Sequence, residues 1–512
     1  MRRAGRSCGI LLPVASLPSP YGIGAFSKEA YDFVDFLKAA GQTYWQILPL
    51  CPTGFGDSPY QSFSTYAGNP FFIDLDALIG EGLLTKREAK GALSHTRRDR
   101  VDYAAVLKAR TPLLRRAYER ALVRGMFSAA EKKSFRAFCK QQAYWLDDYA
   151  LYMAVKAHFH NASWDVWEDG IRLRKAASLK RYRTLLKDEV TFHRFIQYEF
   201  FKQWSALKSY AHEKGVKIIG DVPIYVAYDS ADTWANPDLF QLEWSGQPDA
   251  VAGCPPDPFA ETGQLWGNPL YRWDYHKETG YAWWVSRIKH MLTLYDVVRI
   301  DHFRGFESYY SIPYGDPTAE FGHWEKGPGY ALFDVLKKEI PEIAQGELKL
   351  IAEDLGFLTP GVRRLLKRTG FPGMKVLQFA FDAREDSDYL PYNYDWNSIV
   401  YTGTHDNNTT RGWFLEISKK DRDFAYRFLQ IPKGTKPSDK GNVDAMIRLA
   451  LASVANTAVI PLQDYLGIGE EGRINKPSTV STKNWSWRVK KTALTPALAR
   501  RIRALCTLYG RV

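Results

Sequence analysis

Three short apolar runs, each ending in a carboxylate, constrain this chain more than any other feature. The first covers Val297, Val298 and Ile300 and then turns polar at Asp301 and His302. The second runs from Leu348 to Ala352 and ends at Glu353 and Asp354. The third, Ser398 to Thr404, ends at His405 and Asp406. Buried parallel strands that finish in acidic loop residues describe the C-terminal face of a (β/α)8 barrel, where such enzymes keep their chemistry. Strand side chains alternate faces, so Arg299 and Asp301 should point the same way, and a guanidinium at that spacing should lower the carboxylate's pKa. A structural salt bridge would explain that one pair alone. The two further runs of the same shape argue for a site.

Five more apolar runs complete eight strands. They begin at Cys8, Tyr44, Gly215, Gly373 and Thr457, and helical periodicity lies between most of them. A barrel needs about 250 residues, which leaves roughly half of the 512 for additions. The largest addition follows the second strand, where residues 75–209 read as an inserted, mainly helical subdomain. Ser128 and Glu131 form a capping box there. It opens one long helix carrying Phe135, Phe138, Trp145, Tyr149 and Met153 inward, and a second helix is expected from about Thr191 to Lys214. Those aromatics read as core. The barrel then comprises residues 1–74 and 210–512, with a loop subdomain over about 227–290 that is rich in Pro, Gly and Trp and has little periodicity. About fifty residues follow the eighth strand, too few for an appended β-sandwich.

Composition excludes several functions. Lys and Arg number 69 against 57 Asp and Glu, a formal charge of +12. The basic clusters are short, scattered and without a nucleic-acid-binding module, so they read as solvated surface. Five cysteines, widely spaced and with no CxxC, suit a reducing cytosol rather than a disulfide or zinc framework. No run of eighteen apolar residues is present to span a membrane. The formal GxGxxG at Gly467–Gly472 carries two glutamates, which would repel a phosphate.

Cleavage of a glycosidic bond with retention needs one ionised carboxylate and one protonated acid close together. Asp301 suits the ionised role. Glu353, among negative neighbours and partly buried, suits the protonated one, with Asp354 an open alternative. Asp406 is a third acid that could stabilise positive charge in the transition state. His302 and His405 could donate hydrogen bonds to sugar hydroxyls. Tyr60, in the long loop after the second strand, and Trp266 offer rings for sugar faces. A metal held by this His/Asp set is a further reading, opposed by the cation of Arg299.

The chain also resembles a known family. The motifs are Pro49–Ser64, Ala67–Pro70, Gly220–Val226, Gly263–Pro269, Val298–Gly305, Ala352–Gly356, Gly403–Asp406 and Asn484–Arg488. In that order they look like those of the amylomaltases, the 4-α-glucanotransferases of glycoside hydrolase family 77. The resemblance implies Asp301 as nucleophile, Glu353 as acid/base and Asp406 as transition-state stabiliser, which settles Glu353 over Asp354. It implies sugar-binding roles for Tyr60, Asp221, Gln264, Trp266, Asn268, Arg299, His302 and His405. It implies transfer between α-1,4-glucan donors and acceptors, with no metal or organic cofactor, in a cytoplasmic monomer or homodimer. An α-glucan hydrolase shares the same acids, and a non-catalytic carbohydrate-binding protein would have lost them. Two departures stand out. The residues Pro258-Phe259-Ala260-Glu261 differ from the family's aromatic pair and Ser, which bears on acceptor preference, and Cys51 and Cys254 replace small or apolar residues.

Overall fold

The computed structural model describes residues 5–91, 99–256, 260–344, 348–356, 358–384 and 387–512. Twelve strands are present among them: β1 (Ser7–Leu11), β2 (Tyr44–Gln46), β3 (Lys217–Val222), β4 (Ala250–Cys254), β5 (Gln264–Pro269), β6 (Val297–Ile300), β7 (Ser308–Pro313), β8 (His323–Lys326), β9 (Leu350–Ala352), β10 (Gly373–Val376), β11 (Ser398–Tyr401) and β12 (Thr457–Pro461). Eight of them close a parallel barrel in the order β1-β12-β11-β10-β9-β6-β3-β2. These are the eight strands expected from the sequence, and the fold is a (β/α)8 barrel.

The strands are apolar on both faces because both are covered. Inward-facing Leu11, Tyr44, Ile219, Val297, Ile351, Met374, Ile399, Tyr401 and Val459 fill the barrel as its own cluster. Their alternating neighbours, such as Ile218, Val298, Ile300, Leu350 and Val400, pack outward with the surrounding helices. Above the filled layer the inward positions become polar. Asp221 on β3 and Arg299 on β6 are register partners, and this is where the barrel's C-terminal mouth begins.

Between β2 and β3 the described chain is largely helical. The capping box at Ser128 and Glu131 is present, but the helix it opens ends at Gln141, and a second runs Ala143–His158. At the break, Gln142 accepts a hydrogen bond from the Trp145 indole at 2.8 Å. The next long helix begins earlier than expected and spans Lys187–Glu213. Phe192, Phe195 and Trp204 are buried core, whereas Phe135 and Phe138 are only partly buried against Tyr198 and Phe201.

The region read as aperiodic loop contains ordered sheet. β4 and β5 from the loop after β3 pair with β7 and β8 from the loop after β6, in the antiparallel order β5-β4-β7-β8. Val251, Tyr310, Ile312 and Ala319 form its small core. A register shift between Val251 and Gly253 and short strands hid the alternation. The sheet presents Trp266 and Asn268 of β5 toward the barrel mouth. Pro258 and Phe259 lie outside the described residues. No helix among the described residues is long and apolar enough to cross a membrane.

Candidate active site

The site is built on the ends of β3, β6, β9 and β11. Arg299 is its centre. One guanidinium nitrogen donates to both oxygens of Asp221, at 2.8 and 2.7 Å, the other lies 2.8 Å from Asp301, and Nε points at the Met374 sulfur at 3.3 Å. Asp221 has a fully buried side chain, while that of Asp301 is 30 % exposed. The guanidinium thus joins a sealed carboxylate beneath to an accessible one above. Alternation from inward Val297 places Arg299 and Asp301 on the same face, as expected.

Among the described residues no cation pairs directly with Glu353. Its two oxygens accept backbone N–H bonds, from His302 at 2.7 Å and Leu355 at 2.9 Å. Burial and the nearby Asp301 charge push it up to about 7, against the opposing pull of Arg299 and the two N–H donors. Asp301 does not follow the sequence expectation. Burial raises its pKa and outweighs the Arg299 contact that lowers it, with the negative charges of Asp221 and Asp406 adding to the rise. Of this coupled pair, Asp301 alone holds the guanidinium, so the shared negative charge rests on Asp301 and the shared proton on Glu353.

Asp354 is turned the other way. It is 4 % exposed and accepts the Met374 N–H at 2.6 Å, tying β9 to β10. It lies so close to Gly373 that any Cβ there would meet its carboxylate at 2.5 Å. That geometry fits a structural carboxylate and leaves Glu353 as the acid facing the cleft.

Asp406 sits past the end of β11, where the chain has left strand geometry. Burial would raise it, but His405 at 3.4 Å and the Asn475 amide at 2.7 Å bring it down to about 2. His405 is raised in turn, since the Asp406 charge outweighs its burial. Its Nε2 also lies 2.9 Å from the Tyr60 hydroxyl, which donates to Asp221 at 2.7 Å, and the two rings stack at 5.3 Å. Tyr60, Asp221, Arg299, Asp301, His405 and Asp406 are thereby one connected network spanning the mouth.

The opposite wall is the small sheet. Trp266 meets the His302 ring edge-on at 4.9 Å, and its indole N–H donates to Gln264 at 3.1 Å. His302 adopts a left-handed backbone (φ 53°), a strained conformation of the kind that clusters at functional sites. Burial and Arg304 push its ring down to about 4, so the imidazole is neutral, and its buried Nε2 has no partner among the described residues. Asn268 is 4 % exposed, donating to the Val226 carbonyl at 2.8 Å and accepting from Gln61 at 3.0 Å. Among the described residues no group of three or more His, Cys, Asp or Glu is placed to hold a metal ion.

The eleven residues to which the resemblance gives roles lie at this mouth or in its walls, and Asp354 does not. Three were missed. Asn475 holds Asp406, Gln61 ties the loop after β2 to Asn268 and to the Trp266 carbonyl (3.3 Å), and Trp485 packs over Tyr60 and His405 with centroids at 5.7 and 6.0 Å. Asn475 arrives on the loop after β12, whose sequence carries no period, whereas Gln61 and Trp485 fall within the Pro49–Ser64 and Asn484–Arg488 motifs, from which no role was drawn for them.

A closed parallel barrel with carboxylates converging at its C-terminal mouth, between an aromatic loop and a small sheet, has the arrangement of a (β/α)8-barrel enzyme. Within that class the chain belongs to glycoside hydrolase family 77, the 4-alpha-glucanotransferases, whose family model matches residues 12–494. It is 48% identical to the 4-alpha-glucanotransferase of Clostridium butyricum, over 97% of this chain and 99% of that one. It is 46% identical to that of Thermus thermophilus over 99% of both chains. The amylomaltase of Streptococcus agalactiae, solved in complex with acarbose, superposes with a TM-score of 0.92 at 41% identity and covers 99% of both chains. The chain is thus an enzyme of the 4-alpha-glucanotransferase class.

Proposed function

We propose that this enzyme cleaves an α-1,4-glucan and transfers the severed segment to the 4-hydroxyl of another glucan through a glucosyl ester of Asp301. The observation that carries the reading is the division of the charged pair: Asp301 bonded to Arg299, and Glu353 held only by two backbone N–H groups and raised to about 7. In the first step an Asp301 oxygen attacks the anomeric carbon as the glycosidic C–O bond breaks, and Glu353 gives its proton to the departing sugar oxygen. In the second, the acceptor's 4-hydroxyl displaces Asp301 and its proton returns to Glu353. Asp406, kept ionised by His405 and Asn475, faces the positive charge that develops on the sugar ring.

Trp266, Gln264, Tyr60, His302 and His405 are the groups placed to grip the sugar. Asp221 and Asn268 act differently. Asp221 is sealed beneath Arg299 and Tyr60 and serves as a positioning residue for both; Asn268 holds the β5 wall through Val226 and Gln61. A glucan ligand also agrees with the acarbose bound by the streptococcal neighbour.

Asp301→Asn is expected to lower turnover of maltooligosaccharides by about 10³-fold or more with an unchanged far-UV spectrum and melting temperature. Glu353→Gln is expected to recover activity on glucosyl donors whose leaving group needs no protonation. Turnover by Asp301→Asn within tenfold of the parent, or no recovery by Glu353→Gln despite intact binding, contradicts the assignment.

A further inference from the structure

A second groove opens on the flank of the barrel, and none of its lining residues belongs to the catalytic network. It lies between the Ala143–His158 helix, the helix Ala282–Leu294 that precedes β6, and the end of the helix Tyr330–Glu339. Its volume is about 520 Å³, and Tyr144, Gly280, Ala282, Ser286, Lys289 and Glu339 line it. That size falls within the range of small-molecule sites, which combine an apolar wall with a few placed polar groups.

The wall is Tyr144. Its side chain is exposed (57 %), yet it is not free to rotate away. The Tyr144 hydroxyl lies 2.9 Å from His290 Nδ1, and His290 Nε2 lies 2.9 Å from the Tyr66 carbonyl. Burial pushes the His290 ring down to about 4, so the imidazole is neutral and carries one proton. A carbonyl accepts only, so that proton is on Nε2, and Nδ1 accepts from the tyrosine. Tyr144 therefore presents its ring to solvent in one fixed orientation, edge-on to Tyr66 at 5.8 Å. A fixed ring binds with little ordering cost. Across the groove Lys289 and Glu339 lie 3.7 Å apart with half their side-chain surface exposed, and the Ser286 hydroxyl is nearby, accepting from Tyr66 at 3.3 Å. One flat apolar ring facing a donor, an acceptor and a hydroxyl is the chemistry that holds a pyranose: its C–H face on the aromatic, its vicinal hydroxyls on the charged pair.

We propose that this flank groove is a second glucan-binding site, which takes a short stretch of α-glucan chain on Tyr144, Lys289 and Glu339 and tethers long substrates while the mouth works on another part of them. The proposal rests on the glucan-transfer reading for its choice of ligand. Two linked sites on one chain raise the effective concentration of a long glucan, whereas an oligosaccharide too short to span them gains nothing.

The test uses the full-length chain with maltoheptaose as the probe. In the Glu353→Gln background, which suppresses turnover, calorimetric titration is expected to resolve two sites. Adding Tyr144→Ala should weaken one of them about tenfold or more and leave the other unchanged. Lys289→Ala, an exposed change that leaves the Tyr144–His290–Tyr66 chain intact, should weaken the same site about threefold or more. In the otherwise unaltered enzyme, Tyr144→Ala should raise KM for amylose about three- to tenfold, with kcat/KM for maltotriose within about twofold of the parent. A single binding site untouched by Tyr144→Ala overturns the proposal, as does an equal loss on maltotriose and amylose. If the parent enzyme fails to disproportionate maltotriose but still shows the Tyr144-dependent site, the transfer reading falls and the groove stands.

Discussion

At the scale of single residues, the site works by making similar carboxylates unequal. Asp221, Asp301, Glu353 and Asp406 lie at one mouth, and their neighbours set them apart: Arg299 for the first two, backbone N–H donors for Glu353, His405 and Asn475 for Asp406. The general-acid role requires Glu353 to be protonated, so kcat/KM is expected to fall as pH rises through about 7. Glu353→Gln, assayed on an activated donor, should lose that alkaline limb; a limb that persists in the variant would assign it to another group. The same shift has a stability consequence. A carboxyl whose folded-state pKa is raised binds more protons folded than unfolded, so its contribution to stability declines as pH rises from the unfolded value toward 7. Glu353→Gln should therefore raise the melting temperature by about 1–2 °C more at pH 8 than at pH 5, and an equal effect at both values would contradict a raised Glu353. Asp406 behaves oppositely, because its ionised form is the one that is held. Asn475→Ala removes a donor to that form, so the acid limb of the pH–rate profile should move upward and activity fall about tenfold. An unmoved profile would reduce Asn475 to a packing residue.

Sequence legibility also differed residue by residue. Arg299 and Asp301 were readable because Val297 and Val298 fixed the pleat and the polar residues followed at once. The choice between Glu353 and Asp354 was not readable from the residues alone. Leu350, Ile351 and Ala352 are apolar on both faces of β9, so nothing in the run says that Ile351 points into the barrel and carries Glu353 with it. The expected lowering of Asp301 failed for a different reason: spacing announces a charged partner, but how deeply the pair is buried depends on loops from distant parts of the chain.

At the scale of elements, close approach between the chain's backbone and aromatic side chains fixes where the site's floor lies. Gly220 precedes Asp221 on β3, and a Cβ there would meet the Tyr295 ring at 2.1 Å. That ring cannot simply move, because its hydroxyl accepts the Leu50 N–H at 3.1 Å and so supports the loop after β2. Gly220→Ala is expected to destabilise the fold by about 1–3 kcal/mol, read from chemical denaturation, and to lower activity through Asp221 and Arg299. A variant with parental stability would show that Tyr295 yields without cost. The strands of the barrel were legible because continuous apolar runs with acidic ends are distinctive. The four-stranded sheet was not. Its strands come from two loops separated by β6 and a barrel helix, and β8 (His323–Lys326) is mostly exposed, so neither alternation nor a hydrophobic run marked it.

At the scale of the whole molecule, the barrel supplies rigid strand ends while the added segments supply the walls. The loop after β2 brings Tyr60 and Gln61, the small sheet brings Trp266 and Asn268, and the loop after β12 brings Asn475 and Trp485. The proposed function requires that in this mouth a sugar rather than water resolves the intermediate. The measurement that tests this most directly is incubation with maltotriose alone, following glucose, longer maltodextrins and total reducing ends together. Transfer predicts glucose plus a ladder of longer oligosaccharides with reducing ends constant. Reducing ends that rise without a ladder would mean that water takes the acceptor's place and would contradict the account.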